Sequence, residues 1–394
     1  MHTTVDEHAA HIENLVRPAW EVRFERMPLL DALGRVSASS ILSPVDLPLF
    51  RNSQMDGFAV RAADVVTTPI ELPVAGTIAA ASGTPPALRP GTAVRIMTGA
   101  PVPDGADAIV PVEDTIVSGE TVTIGRSRTA GEYIRERGSD LRAGAELVPA
   151  ASVLASRQLA AIAAGGITEV EVRKRARIAV ITTGAELVSP GAVPEPGQVF
   201  DSNSVALVAA VRECGGEVAL AKQVPDDPVA LRAVLSEAAR RSDLIITSGG
   251  ISKGDFEVVR EVLEPLGARI SHVAMQPGGP QATAVFDGVP VVCFPGNPVS
   301  TQVSFEVFLA PLLRSVAGLP APVRGLRTLA APLESIVGKR QFLRGRLLED
   351  GTADVHGGAG SHLVAGLAAA DALIVVPEQS SRLAAGDLVE VWQL

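Results

Sequence analysis

Cysteine is almost missing from this chain, with Cys214 and Cys293 the two present in 394 residues. Two cysteines cannot build a disulfide framework or a cysteine-rich zinc site, and they fit a reducing compartment. Aromatic residues are also scarce, at 3%, which argues against the stacking platforms that grip single-stranded nucleic acid. Positive charge is not in excess. The formal net charge is -10, whereas a general DNA or RNA binder carries a basic face. No apolar run reaches about 18 residues without a charge, a glycine or a proline, so no membrane-spanning helix is expected. The opening MHTTVDEHAAHIENLV carries acidic residues and no apolar centre, so it does not read as a signal peptide. The expectation is a cytoplasmic protein with no nucleic-acid or membrane partner.

What is present can bury real cores: 47% of the residues are hydrophobic and 20% charged. The length allows two to four domains. Residues 5–16 and 152–164 have helical spacing, and 27–36 read as a short helix stopped by Gly34. From 51 to 140, short β-like runs alternate with Gly, Pro and Asp, as in a β-rich domain. From Arg177 the rhythm changes to strand and helix in turn. RIAVITTG, EVALAKQV and DLIITSGG read as strands. DSNSVALVAAVRECGG, DPVALRAVLSEAARR, DFEVVREVLEPLG and PVSTQVSFEVFLAPLLRSVAG read as helices. That alternation means βαβ units on a parallel sheet. After a Pro-rich linker at 319–324, the remainder reads as a small β barrel or sandwich.

Ligands of such sheets bind beyond the carboxyl ends of the strands. TTGAEL (182–187), TSGGISKGD (247–255) and FPGNPVS (294–300) each join a strand to small residues whose backbone N–H groups suit oxyanions. None matches the P-loop or the GxGxxG fingerprint. Glu186, Asp226 and Asp255 accompany these loops, as a site holding Mg²⁺ between carboxylates and phosphate oxygens would require. Helix capping is the plain alternative, and Asp255 and Asp227 are well placed for it. In the N-terminal half, Asp56 and Thr98 sit in Gly-containing turns. GEYIRERGSDL offers Arg135, Arg137 and Asp140, with a surface pairing of the arginines to Glu132 or Glu136 as the plain reading. His2, His8 and His11 match no metal pattern and read as surface residues.

The set MDGFAV, RIMTGAPVPDGADAIVPVED, GSDL, ITTGAEL, TSGGISKGD, FPGNPVS and GAGSHLVAGLAAADALIVVPE resembles the molybdopterin molybdenumtransferases, the MoeA family, to which the gephyrin E domain is related. These motifs run in family order over nearly the whole chain. The resemblance implies a multidomain α/β fold in four parts. Residues 1–50 and 141–174 would form an elongated N-terminal domain, 51–140 an inserted β-rich domain, 175–318 a parallel-sheet molybdopterin-binding domain and 319–394 a small C-terminal β domain. It also implies a homodimer, with the active site between the α/β domain of one subunit and the inserted domain of the other. The implied activity is Mg²⁺-dependent insertion of molybdate into adenylylated molybdopterin, with release of AMP. The molybdopterin adenylyltransferase is an implied partner.

Residue by residue, the resemblance makes Asp56, Asp140, Glu186, Asp226 and Asp255 catalytic, with Asp226 and Asp255 as the magnesium ligands. Thr98, Ser248, Gly249, Gly250 and Ser252 would bind substrate, with Pro295, Gly296, Asn297, Pro298 and Ser300 as a floor. Arg344 and Ser361 would face the molybdate. One departure stands out: Gln276 and Gly279 occupy MQPGGP, where the family commonly carries two lysines that help to hold molybdate. Loss of both charges favours one alternative, a molybdopterin-binding carrier or scaffold, and the resemblance to broader α/β relatives leaves another, a nucleotide-phosphate hydrolase without molybdenum.

Overall fold

The computed structural model describes residues 3–81, 83–251 and 257–394. They divide into two compact units, Met1–Glu25 with Arg173–Leu394, and Arg26–Val172. Ser252 and Asp255 lie outside the described residues.

The first unit opens with α1 (Val5–Val16) and continues with β1 (Arg177–Thr183), α2 (Ser202–Glu213), β2 (Glu217–Val224), α3 (Pro228–Arg241), β3 (Leu244–Ser248), α4 (Val258–Leu263), β4 (Arg269–His272), β5 (Pro280–Phe286), β6 (Val289–Phe294), α5 (Pro298–Phe308) and α6 (Ala310–Ala317). Six strands form one sheet in the order β2-β1-β3-β6-β5-β4. The first four are parallel, while β5 and β4 run antiparallel to their neighbours. The sheet is therefore mixed where the sequence pattern led us to expect a parallel one. The cause is local. Asp287 and Gly288 both have positive φ and close a two-residue hairpin between Phe286 and Val289, the geometry that an Asp-Gly pair favours.

The inner strands are buried on both faces, and alternate residues feed two cores. Ile178, Val180, Leu244, Ile246, Val292 and Phe294 point into a core shared with α1, α2, α5 and α6. Ala179, Ile181, Ile245, Val291 and Cys293 point into the other, shared with α3 and α4. Such two-sided burial explains the near-continuous apolar runs of these strands. A second sheet in the same unit comprises β7 (Arg324–Thr328), β8 (Arg340–Leu347), β9 (Ala372–Val376) and β10 (Leu388–Gln393). The short strand Met275–Gln276 pairs with β8 and extends it.

The second unit holds a six-stranded sheet in the order Ala108–Pro111, Gly57–Val60, Ala93–Ile96, Ile70–Ile78, Thr121–Ile124, Thr115–Ser118. It also holds the helix Ser156–Ala164, whose Leu159 and Ile162 join a separate small core with Val148, Leu154 and Val172. Among the described residues no helix is long and apolar enough to cross a membrane.

Several expectations need correction. Residues 27–36 are not a helix; a strand (Phe24–Pro28) runs into a single 3-10 turn (Leu29–Ala32), with the Pro28 backbone still extended at its start. The long helix expected at 298–318 is two, broken at Leu309 beside Pro311. The N-terminal residues, grouped by sequence with 26–50, pack with the α/β sheet instead. Val5, Ile12 and Val16 all enter its first core. A capping box fixes that helix, with the Thr4 hydroxyl accepting from the Glu7 N–H and the Glu7 carboxylate accepting from the Thr4 N–H.

His8 is not a surface residue. It is fully buried, edge-on to the Phe308 ring at 4.8 Å, with neither ring nitrogen hydrogen-bonded. Burial pushes its imidazole down to about 3. In the unfolded chain the same group takes up a proton near 6.5. Between these values the unfolded state binds the extra proton, so stability falls as pH falls. We expect this residue to cost about 2 kcal/mol of stability between pH 7 and pH 5. Urea unfolding at both pH values should show that much less loss in His8→Leu than in the parent protein.

Candidate functional site

Beyond the carboxyl ends of β1, β3 and β6 lies a cleft of ≈ 460 Å³. It opens at the switch point of the sheet, where the chain turns outward to β2 and then returns to the other side of β1. Thr183–Glu186, Ser248–Ile251 and Pro295–Ser300 form its walls, with Asp226 from the β2–α3 turn and the start of α2. Its lining is more polar than apolar and, among the described residues, contains no lysine or arginine.

The loops are tied together by side chains. The Thr182 hydroxyl donates to Asp201 at 2.6 Å, and Asp201 in turn caps α2 by accepting from the Ser204 N–H at 3.0 Å. The Thr183 hydroxyl donates to Asp226 Oδ1 at 2.6 Å, and the Ala185 N–H donates to Asp226 Oδ2 at 2.9 Å. Asn203 Nδ2 donates to Ser248 Oγ at 3.0 Å and to the Gly296 carbonyl at 2.6 Å, joining the loop after β3 to the loop after β6. Asn203 Oδ1 is buried and has no partner. The Thr301 hydroxyl donates to the Pro295 carbonyl at 2.6 Å. Gly249 has φ +96°, and a Cβ there would lie 2.4 Å from the Thr183 carbonyl oxygen. That close approach of the two loops requires glycine.

The expected site residues separate into groups. Glu186, Asp226, Ser248, Gly249, Gly250, Pro295, Gly296, Asn297, Pro298 and Ser300 all line the cleft. Ser248 does so with its hydroxyl already engaged by Asn203, Thr301 and Pro295, so it holds the loops together. Asn297 Nδ2 donates to Ser361 Oγ at 2.9 Å, and the Val299 N–H donates to the Ser361 carbonyl at 3.0 Å. The C-terminal segment thus reaches the floor.

Arg344 was expected to face the ligand and does not line the cleft. Its side chain is buried, and its guanidinium donates to the carbonyls of Gly357, Gly358 and Gly360. It braces the turn that carries Ser361, and desolvation lowers its pKa. Gln276 accepts from the Gln341 amide, and a Cβ on Gly279 would meet the His272 ring at 3.1 Å.

Asp56, Thr98 and Asp140 belong to the other unit. There the Thr98 N–H and hydroxyl donate to Asp56 at 2.7 and 2.9 Å, holding its carboxyl below the usual carboxylate range. Asp140 is exposed in a turn whose N–H donates to the Leu47 carbonyl. Arg137 pairs with Asp46 at 2.7 Å, not with Glu132 or Glu136.

Sequence reasoning missed Asn203 and Asp201. The signal was available in DSNS, since four polar residues directly after a strand-like run and at the start of a helix serve both a cap and a loop tie. Asp227 does cap α3, accepting from the Val229 N–H at 2.9 Å.

Among the described residues no group of three or more His, Cys, Asp or Glu could hold a metal ion. Mg²⁺ does not need such a cage; it is commonly held by one or two carboxylates plus phosphate oxygens and water. Asp226 and Glu186 fit that lesser demand, because both line the cleft and each oxygen of Asp226 accepts a single hydrogen bond. The two cysteines offer no reactive thiol. Both are buried, and desolvation raises each to about 12.

Comparison with known proteins places this geometry. Residues 3–166 match the MoeA N-terminal region (domain I and II), 179–315 a probable molybdopterin binding domain, and 327–394 the MoeA C-terminal region (domain IV). A protein named molybdopterin molybdenumtransferase 2 from Mycobacterium tuberculosis is 42% identical over 99% of both chains. Molybdopterin molybdenumtransferase 1 of the same organism is 35% identical over 93% of each. A crystal structure titled molybdopterin biosynthesis moea protein, from Pyrococcus horikosii, superposes with a TM-score of 0.81 at 31% identity, covering 100% of this chain and 99% of that one. The strand-end cleft, its three loops and the segment that returns through Ser361 therefore sit in a chain that belongs to the MoeA family of molybdenum cofactor biosynthesis enzymes.

Proposed function

We propose that this protein inserts molybdate into adenylylated molybdopterin, with Mg²⁺, and releases AMP. One observation carries the reading: three backbone loops and Asp226 converge on a single polar cleft without a lysine or arginine in its described lining. An anionic ligand there must be held by backbone N–H groups, helix N-termini and a cation that arrives with it. Both α2 and α5 begin at the cleft wall.

In this reading Asp226 is the magnesium ligand, with Asp255 as the second, and Glu186 lies beside it. Bound Mg²⁺ would neutralise phosphate oxygens as the phosphoanhydride breaks. The chain's own part is positioning. Thr183 and Ala185 hold the Asp226 carboxylate at the mouth. Asn203 fixes the spacing between Gly249 and Gly296, and the Gly250 and Ser300 backbone faces the phosphate. The Pro295–Pro298 turn and Ser361 form the molybdate end. Ser252, Asp56, Thr98 and Asp140 retain the substrate-binding and catalytic roles that the family resemblance implies. The reading includes a cytoplasmic homodimer of four-domain subunits supplied by a molybdopterin adenylyltransferase.

A carrier or scaffold is the second reading. Gln276 is spent on Gln341, and Gly279 has no side chain to offer, so neither supplies a charge to molybdate.

Purified protein given Mg²⁺, molybdate and adenylylated molybdopterin should release AMP and yield active cofactor. Binding of the pterin without molybdate-dependent AMP release would establish the carrier instead. Asp226→Ala should lower the AMP release rate by roughly 100-fold or more, in line with loss of a catalytic electrostatic group. Its circular dichroism spectrum should be unchanged. Asn203→Ala should raise KM for the adenylylated substrate about tenfold, the effect of one lost positioning contact of about 1.4 kcal/mol. Gln276→Lys should lower the molybdate concentration needed for half-maximal rate, and an unchanged value would show that molybdate is held without that position.

A further inference from the structure

The first unit has a second cavity, larger than the cleft. It has a volume of ≈ 600 Å³ and lies between α2, α5, α6, the connector Pro320–Val323 and the C-terminal sheet. That is the size of a small-molecule site. Leu207, Val303, Phe305, Val323, Leu367 and Leu373 give it apolar walls. Unlike the cleft, it is walled mainly by apolar side chains. Two carboxylates, Glu213 and Glu306, line it with one cation, Arg314.

Arg314 forms no ion pair with either carboxylate among the described residues. Its Nε donates to the Pro320 carbonyl at 2.7 Å, which pins it to the connector. Glu306 projects from the last turn of α5 and has no hydrogen bond or ion pair among the described residues. Burial, and then the charge of Glu213, raise its carboxyl above the ordinary range, with Arg314 opposing. Cys214, the remaining titratable group in the lining, is held as a neutral thiol.

A half-buried carboxyl without a partner, at the end of an apolar chamber, is an unsatisfied group that a ligand can complete. An anionic amphiphile would set its charge against two carboxylates. A neutral apolar molecule would fill the walls and leave Glu306 as it is. An ammonium group on an apolar body satisfies both demands, since it supplies donors to Glu306 and Glu213 and buries its carbon chain. We propose that this cavity binds an organic amine with an apolar body, its ammonium held between Glu306 and Glu213. The site is separate from the anion-binding cleft and does not depend on the proposed reaction.

Isothermal titration of the full-length protein with n-octylamine, 1-octanol and octanoate tests this. Octylamine should bind saturably, at least tenfold tighter than octanol, with octanoate weakest. Glu306→Gln should cost octylamine at least tenfold in affinity and leave octanol unchanged. Ala206→Trp, which fills the cavity from α2, should abolish binding of both. The proposal is overturned if octylamine and octanol bind equally or if octylamine does not saturate. It also fails if either variant, with an unchanged melting temperature, binds octylamine as the parent does.

Discussion

Three fully buried strands that stop along one edge leave their last polar groups where neither a neighbouring strand nor bulk water can satisfy them. β1, β3 and β6 all end this way, and the loops beyond them depend on how that demand is met. It is met by side chains. Thr182 and Asp201, Thr183 and Asp226, and Asn203 with Ser248 and Gly296 close the strand ends on one another. Asn203 is the piece on which the others converge, because it sits on α2 and reaches two loops at once. A buried network of this kind is costly if half-satisfied and specifying if complete. Here two buried atoms at the strand ends, Asn203 Oδ1 and Thr247 Oγ1, remain unpaired.

The same demand decides what the acidic residues are for. Carboxylates near helix starts could be caps or catalytic groups, and sequence alone offered both. Asp201 and Asp227 are caps, each accepting from a first-turn N–H of the following helix. Asp226 accepts from a hydroxyl and a backbone N–H of the loop after β1, leaving lone pairs toward the cleft. Asp201 carries the same one bond per oxygen but is buried, whereas Asp226 is exposed, and that exposure leaves its remaining lone pairs open to a ligand. Arg344 shows the opposite outcome. A cation expected at the ligand is taken up by three carbonyls of the turn that carries Ser361, so its contribution to the cleft runs through the shape of that turn.

Much of this was legible in the sequence where the local signal and the tertiary demand agree. α1 begins and ends where its periodicity places it, and the βαβ rhythm from Arg177 gives the sheet and its loops. The loop motifs located the cleft because small residues after a buried strand have few other uses. The failures have a common cause. His8 matches no metal pattern and so read as a surface residue, yet it lies on the helix face shared by Val5 and Ile12 and meets Phe308. Residues 27–36 have helix-forming leucines and alanine, but the packing of Met27, Leu29 and Ala32 on a separate core overrides them. Arg344 was assigned by motif position, and a motif does not say which backbone carbonyls will be left unpaired nearby.

α5 shows why part of the site stays invisible to pattern reading. Val299, Val303, Phe305 and Phe308 join the core, and Ser304 accepts from Gln281 on β5. Ser300 opens on the cleft, Thr301 ties the Pro295 turn, and Gln302 and Glu306 line the second cavity. A helix with an assigned use on every side has no solvent face, so its amphipathic signal vanishes and its polar residues cannot be sorted by period. Each must be placed by the neighbour it meets. That is why Glu306, which sequence spacing would read as an ordinary helical acid, is visible as a group without a partner once the strands, α2 and the C-terminal sheet stand around it.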